Sequence, residues 1–339
     1  MKIAILAPIT WRTPPRRYGP WEQVASVLCE TLVEQGEEVT LFATGDSVTA
    51  AALNYVCDAP LAEKPKDAKV WECLHISNLM ETAASFDLIH NHYDFLPLSY
   101  SKLISTPLLT TIHGFSSPDI LPVYQKYNAA GYYVSISNSD RHSSLQYLDT
   151  VYNGIDERQF SFEETPGNYL LYFGRIHPHK GAHDAIEIAR QTGLKLLICG
   201  LVQDEHYFEM RIKPHLDQHN IVYRGNVGPE ERNYLLGHAM ALLHPISFDE
   251  PFGLSVAEAL MCGTPVIAFN RGSMKELIKH GKTGFLVTNN KEAIAAIGKL
   301  SHINRYNCHR TALAQFSRHS MATHYRKLYQ QILSERRQT

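Results

Sequence analysis

Short apolar runs alternate with amphipathic stretches along most of this chain. KIAILAP is an unbroken apolar run closed by Pro8, the pattern of a strand buried on both faces. EQVASVLCETLVEQG follows with apolar residues at helical spacing and a terminal Gly36, and EEVTLFAT supplies the next strand. The alternation continues through FDLIHNHY, PLLTTIHG and GYYVSISNSD, each ending in polar or glycine residues, so function is expected at the carboxyl edge of an open sheet. VYNGIDERQFSFEETPGN, dense in turn-forming residues, reads as an interdomain connection. Beyond it come YLLYFGRI, LKLLICG, NIVYRGNV, ALLHPIS, TPVIAFN and TGFLVT, with the helical stretches GAHDAIEIARQTG and PEERNYLLGHA between them. Strands alternating with helices predict parallel sheets covered on both faces, hence an α/β chain of two doubly wound domains in series, 1–158 and 159–317. A last helical segment spaces Tyr325, Leu328, Tyr329 and Ile332 as a stripe that must be buried on something.

Composition narrows the partners. At 339 residues the chain exceeds what one core organises, and 44% hydrophobic with 19% charged residues describes a fully folded protein. The net charge of -2 lacks the imbalance of a strongly basic nucleic-acid binder, so no nucleic-acid partner is expected and small-molecule chemistry moves forward. Six cysteines without a CxxC pair suggest reduced, mostly buried thiols. MKIAILAPIT is too short an apolar run for a signal peptide or a membrane span, which predicts a cytoplasmic protein.

The turn after the first strand, PITWRTPPRRYGPWE, has no G-x-G-x-x-G, which argues against an NAD or FAD enzyme. It offers Arg12, Arg16, Arg17 and Gly19 before a helix near Trp21, suited to anions or simply a solvated basic loop. In YFGRIHPHKG, Arg175 and Lys180 leave a strand end where two cations can reach phosphate oxygens, or can be ordinary surface charges. FDEPFGLSVAEAL places Glu250 before the turn Pro251, Phe252, Gly253 and a helix from Leu254, whose free N–H groups favour phosphate. Glu258, a turn further on, can accept hydrogen bonds from the vicinal hydroxyls of a ribose, and Glu250 can hold another polyol. Helix-dipole compensation and a salt bridge are the plainer readings of the two carboxylates. His90 and His92 in HNHYD share one face of a strand, but no third ligand lies near in sequence and no metal is expected.

Taken together, EPFGLSVAEA with its Glu-x7-Glu spacing, GRIHPHKG before it, and CGTPVIAFNRGSMKELI and GKTGFLV after it resemble the family-4 (GT4-type) glycosyltransferases. The resemblance covers nearly the whole chain and is clearest from Tyr169 to Val287. It implies the GT-B fold, two Rossmann-like domains facing each other across a cleft, with a helix over 318–339 packing back on the first domain. It implies a retaining hexosyltransferase that needs a nucleoside diphosphate sugar and no metal or other cofactor.

Carried over residue by residue, the resemblance gives Glu258 the donor ribose and Glu250 the hydroxyls of the transferred sugar. Arg175 and Lys180 would neutralise the diphosphate beside the N–H groups of Phe252, Gly253 and Leu254. In TTIHG, His113 would contact the donor sugar near its reacting carbon. The backbone of Tyr223, Arg224 and Gly225 in RGNV would meet the nucleobase. Gly19 matches the family's glycine-rich loop only partly, because YGPWE offers one glycine where two adjacent ones are common, and Pro20 removes a backbone donor there. UDP-linked donors are the first expectation and GDP-mannose the second. The acceptor hydroxyl belongs to a glycan, small molecule or lipid-linked group. Arg12, Arg16, Arg17, Trp11, Tyr18 and Trp21 are available to it. Arg326, Lys327, Arg336 and Arg337 form either a weak membrane contact or a solvated face. A nucleotide-sugar epimerase, a phosphorylase of the same fold, or a non-catalytic sugar-nucleotide-binding subunit are the alternatives.

Overall fold

The structure is a computed structural model describing residues 1–63 and 67–338. The chain divides into two compact units, Met1–Gly154 with Arg318–Thr339, and Ile155–Ser317. The boundary expected after residue 158 therefore falls inside the second unit, because the turn-rich connection already begins contributing to it at Ile155.

Unit 1 carries a parallel sheet in the order β3-β2-β1-β4-β5-β6-β7. Its strands are β1 (Lys2–Leu6), β2 (Glu38–Phe42), β3 (Ala52–Asn54), β4 (Leu88–Asn91), β5 (Leu108–Ile112), β6 (Tyr132–Ser135) and β7 (Asp149–Thr150). Ile3, Ala4, Ile5 and Leu6 of β1 are fully buried, as an unbroken apolar run at the middle of a doubly wound sheet requires. The short strands β3 and β7 lie at the sheet's two edges, where three- and two-residue segments leave no readable periodicity.

The C-terminal helix Arg318–Gln338 belongs to unit 1. Tyr325, Leu328, Tyr329 and Ile332 are all buried there. Arg318 pairs with Glu34 of the helix Pro20–Glu34 at 2.6 Å, and Arg326 with Glu37 at 2.8 Å. Tyr329 and Tyr325 reach inward with their hydroxyls, to His90 Nδ1 at 2.6 Å and Thr111 Oγ1 at 2.7 Å, which satisfies their polar ends.

Unit 2 has a parallel sheet in the order β10-β9-β8-β11-β12-β13. The strands are β8 (Tyr169–Phe173), β9 (Lys195–Cys199), β10 (Ile221–Gly225), β11 (Ala241–His244), β12 (Val266–Phe269) and β13 (Gly284–Val287). In each sheet the winding reverses once, between β1 and β4 and between β8 and β11. Loops leaving the carboxyl ends of those neighbours diverge, and that divergence is where open α/β sheets bind ligands.

Among the described residues no helix is long and apolar enough to cross a membrane. All six cysteines are free, and Cys73 alone of them is exposed.

Candidate functional site

At the reversal in unit 2 the loops after β8 and β11 are held together by backbone. Ser247 N donates to His179 O at 2.9 Å. Gly181, at φ 72°, ends the loop after β8, and a Cβ there would lie 1.9 Å from the carbonyl oxygen of Pro245. Only glycine permits that approach, so the local sequence HKG brings the loop carrying Lys180 against the loop carrying Glu250.

Lys180 Nζ is ion-paired and hydrogen-bonded to Glu250 Oε2, with both side chains nearly buried. The same ammonium lies 4.8 Å from the centre of the Phe248 ring. His244, the last residue of β11, places Nε2 3.6 Å from the same carboxylate oxygen, beyond hydrogen-bond distance. Burial alone would raise the Glu250 pKa, but Lys180 and His244 outweigh it and hold the carboxyl down at about 2. Burial lowers the His244 pKa below its usual value. The sequence singled out Lys180 and Glu250 without indicating that they meet, and it missed His244, an apolar-run terminus with no pattern of its own.

Gly253, at φ 97°, caps the helix Leu254–Met261, and a Cβ there would come within 2.8 Å of Met274 Cε. Phe252 is buried edge-on against Phe316, with ring centres 5.7 Å apart, and its carbonyl accepts from Ser273 Oγ. These contacts fix the turn so that the first N–H groups of the helix, which have no intrahelical partners, begin at the carboxyl edge of the sheet. Arg175 sits at the end of β8, half-buried, donating Nη1 to Gln203 Oε1 at 2.5 Å.

Glu258 lies in that helix, 6% exposed, with Oε1 3.3 Å from Arg232 Nη1. Burial raises its pKa, and Arg232 opposes the rise. The salt-bridge reading of Glu258 thus has a partner, Arg232, which the sequence did not single out because it lies in a different helix, Pro229–His238. Arg232 also packs over the Phe160 ring at 5.2 Å, and its Nε makes no hydrogen bond. At the end of β10, Tyr223 donates its hydroxyl to Gly200 O at 2.8 Å, Arg224 is tied to Glu231 at 2.7 Å, and Gly225 adopts φ 75°.

Unit 1 presents a separate polar cluster at its own sheet edge. Gly19 is the N-cap of the helix Pro20–Glu34, and a Cβ there would meet Pro15 Cβ at 2.8 Å. Glu22, which the sequence reading passed over, is 3% exposed and accepts from Trp11 N at 3.1 Å. Burial pushes its pKa up to about 7. Arg12 turns back to Pro14 O at 3.0 Å, while Arg16 and Arg17 are exposed. His113, just after β5, stacks on Trp21 with ring centres 5.6 Å apart and meets His92 Nδ1 through Nε2 at 2.9 Å. Burial lowers the His113 pKa to about 3. Both nitrogens of His90 are engaged, by the Tyr329 and Thr111 hydroxyls. Among the described residues no cluster of three or more His, Cys, Asp or Glu side chains is arranged to hold a metal ion.

Comparison with known proteins bears on the fold and the family. Residues 155–318, essentially unit 2, match the family described as glycosyl transferases group 1. An uncharacterized glycosyltransferase of Methanocaldococcus jannaschii is 25% identical over 87% of this chain and 87% of its own. A GDP-mannose:cellobiosyl-diphosphopolyprenol alpha-mannosyltransferase of Komagataeibacter xylinus is 25% identical over 73% of this chain and 72% of its own. Among solved structures, Anabaena Alr3699/HepE in complex with UDP and glucose superposes with a TM-score of 0.76 at 18% identity, covering 98% of this chain and all of that one. With the two parallel α/β units of the GT-B fold and a glycosyl transferases group 1 domain over unit 2, the chain is a glycosyltransferase whose second unit belongs to the group 1 family.

Proposed function

We propose that the enzyme transfers a hexose from a nucleoside diphosphate sugar to an acceptor hydroxyl, with retention at the anomeric carbon. The observation that carries this reading is the convergence of Lys180, Glu250 and the N-terminus of the helix Leu254–Met261 at the reversal of unit 2's sheet. Departure of a diphosphate builds negative charge, which the ammonium of Lys180, the guanidinium of Arg175 and the N–H groups of Phe252, Gly253 and Leu254 would meet. Glu250, held ionised, accepts hydrogen bonds from the sugar's hydroxyls, and Glu258 from the ribose. The backbone of Tyr223, Arg224 and Gly225 borders the base. His113 is assigned the donor sugar and the loop of Gly19 the diphosphate, as the family resemblance implies. No metal is assigned a step.

A UDP-linked sugar is the first choice of donor, supported by the UDP and glucose named for the Anabaena neighbour. GDP-mannose is the second, supported by the named activity of the Komagataeibacter relative. The test is turnover of UDP-glucose, UDP-galactose, UDP-N-acetylglucosamine and GDP-mannose against a panel of glycan, small-molecule and lipid-linked acceptors. Product stereochemistry is read from the anomeric proton coupling. The reading expects an acceptor-dependent product with the donor's own anomeric configuration. An inverted product, or donor consumption that needs no acceptor or needs inorganic phosphate, would overturn it.

A further inference from the structure

His244 has no role in the scheme above, yet its ring nitrogen faces the Glu250 carboxylate. It is 5% exposed, its Nε2 makes no hydrogen bond, and that nitrogen lies 3.6 Å from the carboxylate oxygen that Lys180 holds. A buried imidazole nitrogen without a partner is costly and unusual, so it calls for a second state in which it has one. The groups whose charge acts on His244 are Glu250 and Lys180.

We propose that His244 is a positioning residue that replaces Lys180 as the counter-charge of Glu250 when the donor's diphosphate draws Lys180 away. This rests on the reading that Lys180 serves the diphosphate. In the cluster of Lys180, Glu250 and His244 one cation, one carboxylate and one neutral imidazole nearly cancel. Transferring the ammonium to phosphate would strand a buried carboxylate, an unfavourable arrangement. One proton entering from solvent and resting on His244 restores the balance. A rotation that closes the 3.6 Å gap then lets Nε2–H donate to Glu250 Oε2, fixing the carboxylate while its remaining lone pairs accept from the sugar. Donor binding thereby takes up a proton.

The first test needs no ligand. Histidine ring resonances of the whole protein are titrated by NMR, with His244 assigned from its absence in His244→Gln. Removing the ammonium by Lys180→Met leaves Glu250 to His244 alone, so the His244 pKa rises by about one pH unit or more relative to the unaltered protein. Lys180→Gln serves as the second variant if Lys180→Met does not fold. An unchanged His244 titration in the folded variant overturns the proposal, whether or not any nucleotide binds.

The second test measures the heat of UDP binding near pH 7 in two buffers of different ionisation enthalpy. The unaltered protein is expected to take up close to one proton per UDP and His244→Gln none. Equal uptake by both proteins overturns the proposal. In turnover, a switch role predicts that His244→Gln, which keeps an amide donor near Glu250, retains more kcat than His244→Leu at similar KM. Identical kinetics in the two variants would mark a purely structural residue.

Discussion

Replacing Lys180 by methionine tests the electrostatics of the site without any substrate. Glu250 is nearly buried, and its carboxyl lies at about 2 against an ordinary 4.5. A carboxylate depressed on folding contributes stability above its unfolded pKa and loses it as pH falls through the folded one. The contribution is therefore whole above pH 4.5 and disappears toward pH 2. At 1.36 kcal/mol per pH unit the difference amounts to about 3 kcal/mol. Removing one partner of a buried pair costs roughly 3–5 kcal/mol, the same scale. Proton uptake by His244 offsets part of the loss, so the lower end of that range is expected. Urea unfolding of the two proteins from pH 7.5 down to pH 3.5 checks it. The stability gap should be about 3 kcal/mol at neutral pH, should shrink at the acid end, and should narrow when Glu250→Gln is added to Lys180→Met. Equal urea midpoints at pH 7.5, or a gap indifferent to pH, would refute the account of the cluster.

Two further expectations concern unit 1. Glu22 has a folded pKa of about 7, above 4.5, so its favourable contribution exists below pH 4.5 and is lost as pH rises through 7. Glu22→Gln, which still accepts from Trp11 N–H, should stabilise the protein by up to about 3 kcal/mol at pH 8 and be neutral near pH 4, by thermal or urea unfolding. Tyr329→Phe removes the hydroxyl from His90 Nδ1 in a fully buried setting and should cost about 1–3 kcal/mol in urea unfolding. A loss below about 0.5 kcal/mol would show that His90 finds another partner.

Much of the fold was readable because the chain obeys local rules. β1, β8, β9 and β11 are built on continuous apolar runs, and the stripe Tyr325, Leu328, Tyr329, Ile332 carries a helix period. β3 and β7 were not read, since two or three edge residues hold no period. Nor was the helix Ala68–Glu81, where Val70 and Leu74 are exposed beside buried Ile76 and Leu79, so no clean stripe exists. Lys180, Glu250 and Glu258 stood out as charges beside glycine turns. Their partners did not, because pairing across loops is a property of packing. His244 and Arg232 lie in other elements, and the approach that joins Lys180 to Glu250 depends on Gly181 meeting Pro245. Glu22 lies in the first turn of its helix with no sequence pattern to mark it, and only its burial distinguishes it.

The central claim is that unit 2 seats a nucleoside diphosphate with Glu258 on its ribose. Thermal unfolding with UDP, GDP, ADP and dTDP tests it most directly, with Glu258→Gln as the comparison because an amide keeps the shape beside Arg232. A nucleotide at about a hundred times its dissociation constant adds roughly 2.7 kcal/mol of apparent stability. The account predicts stabilisation by one diphosphate, UDP first and GDP second, that is lost in Glu258→Gln while that variant still unfolds cooperatively without ligand. No shift with any of the four at millimolar concentration, or an equal shift in Glu258→Gln, would contradict it.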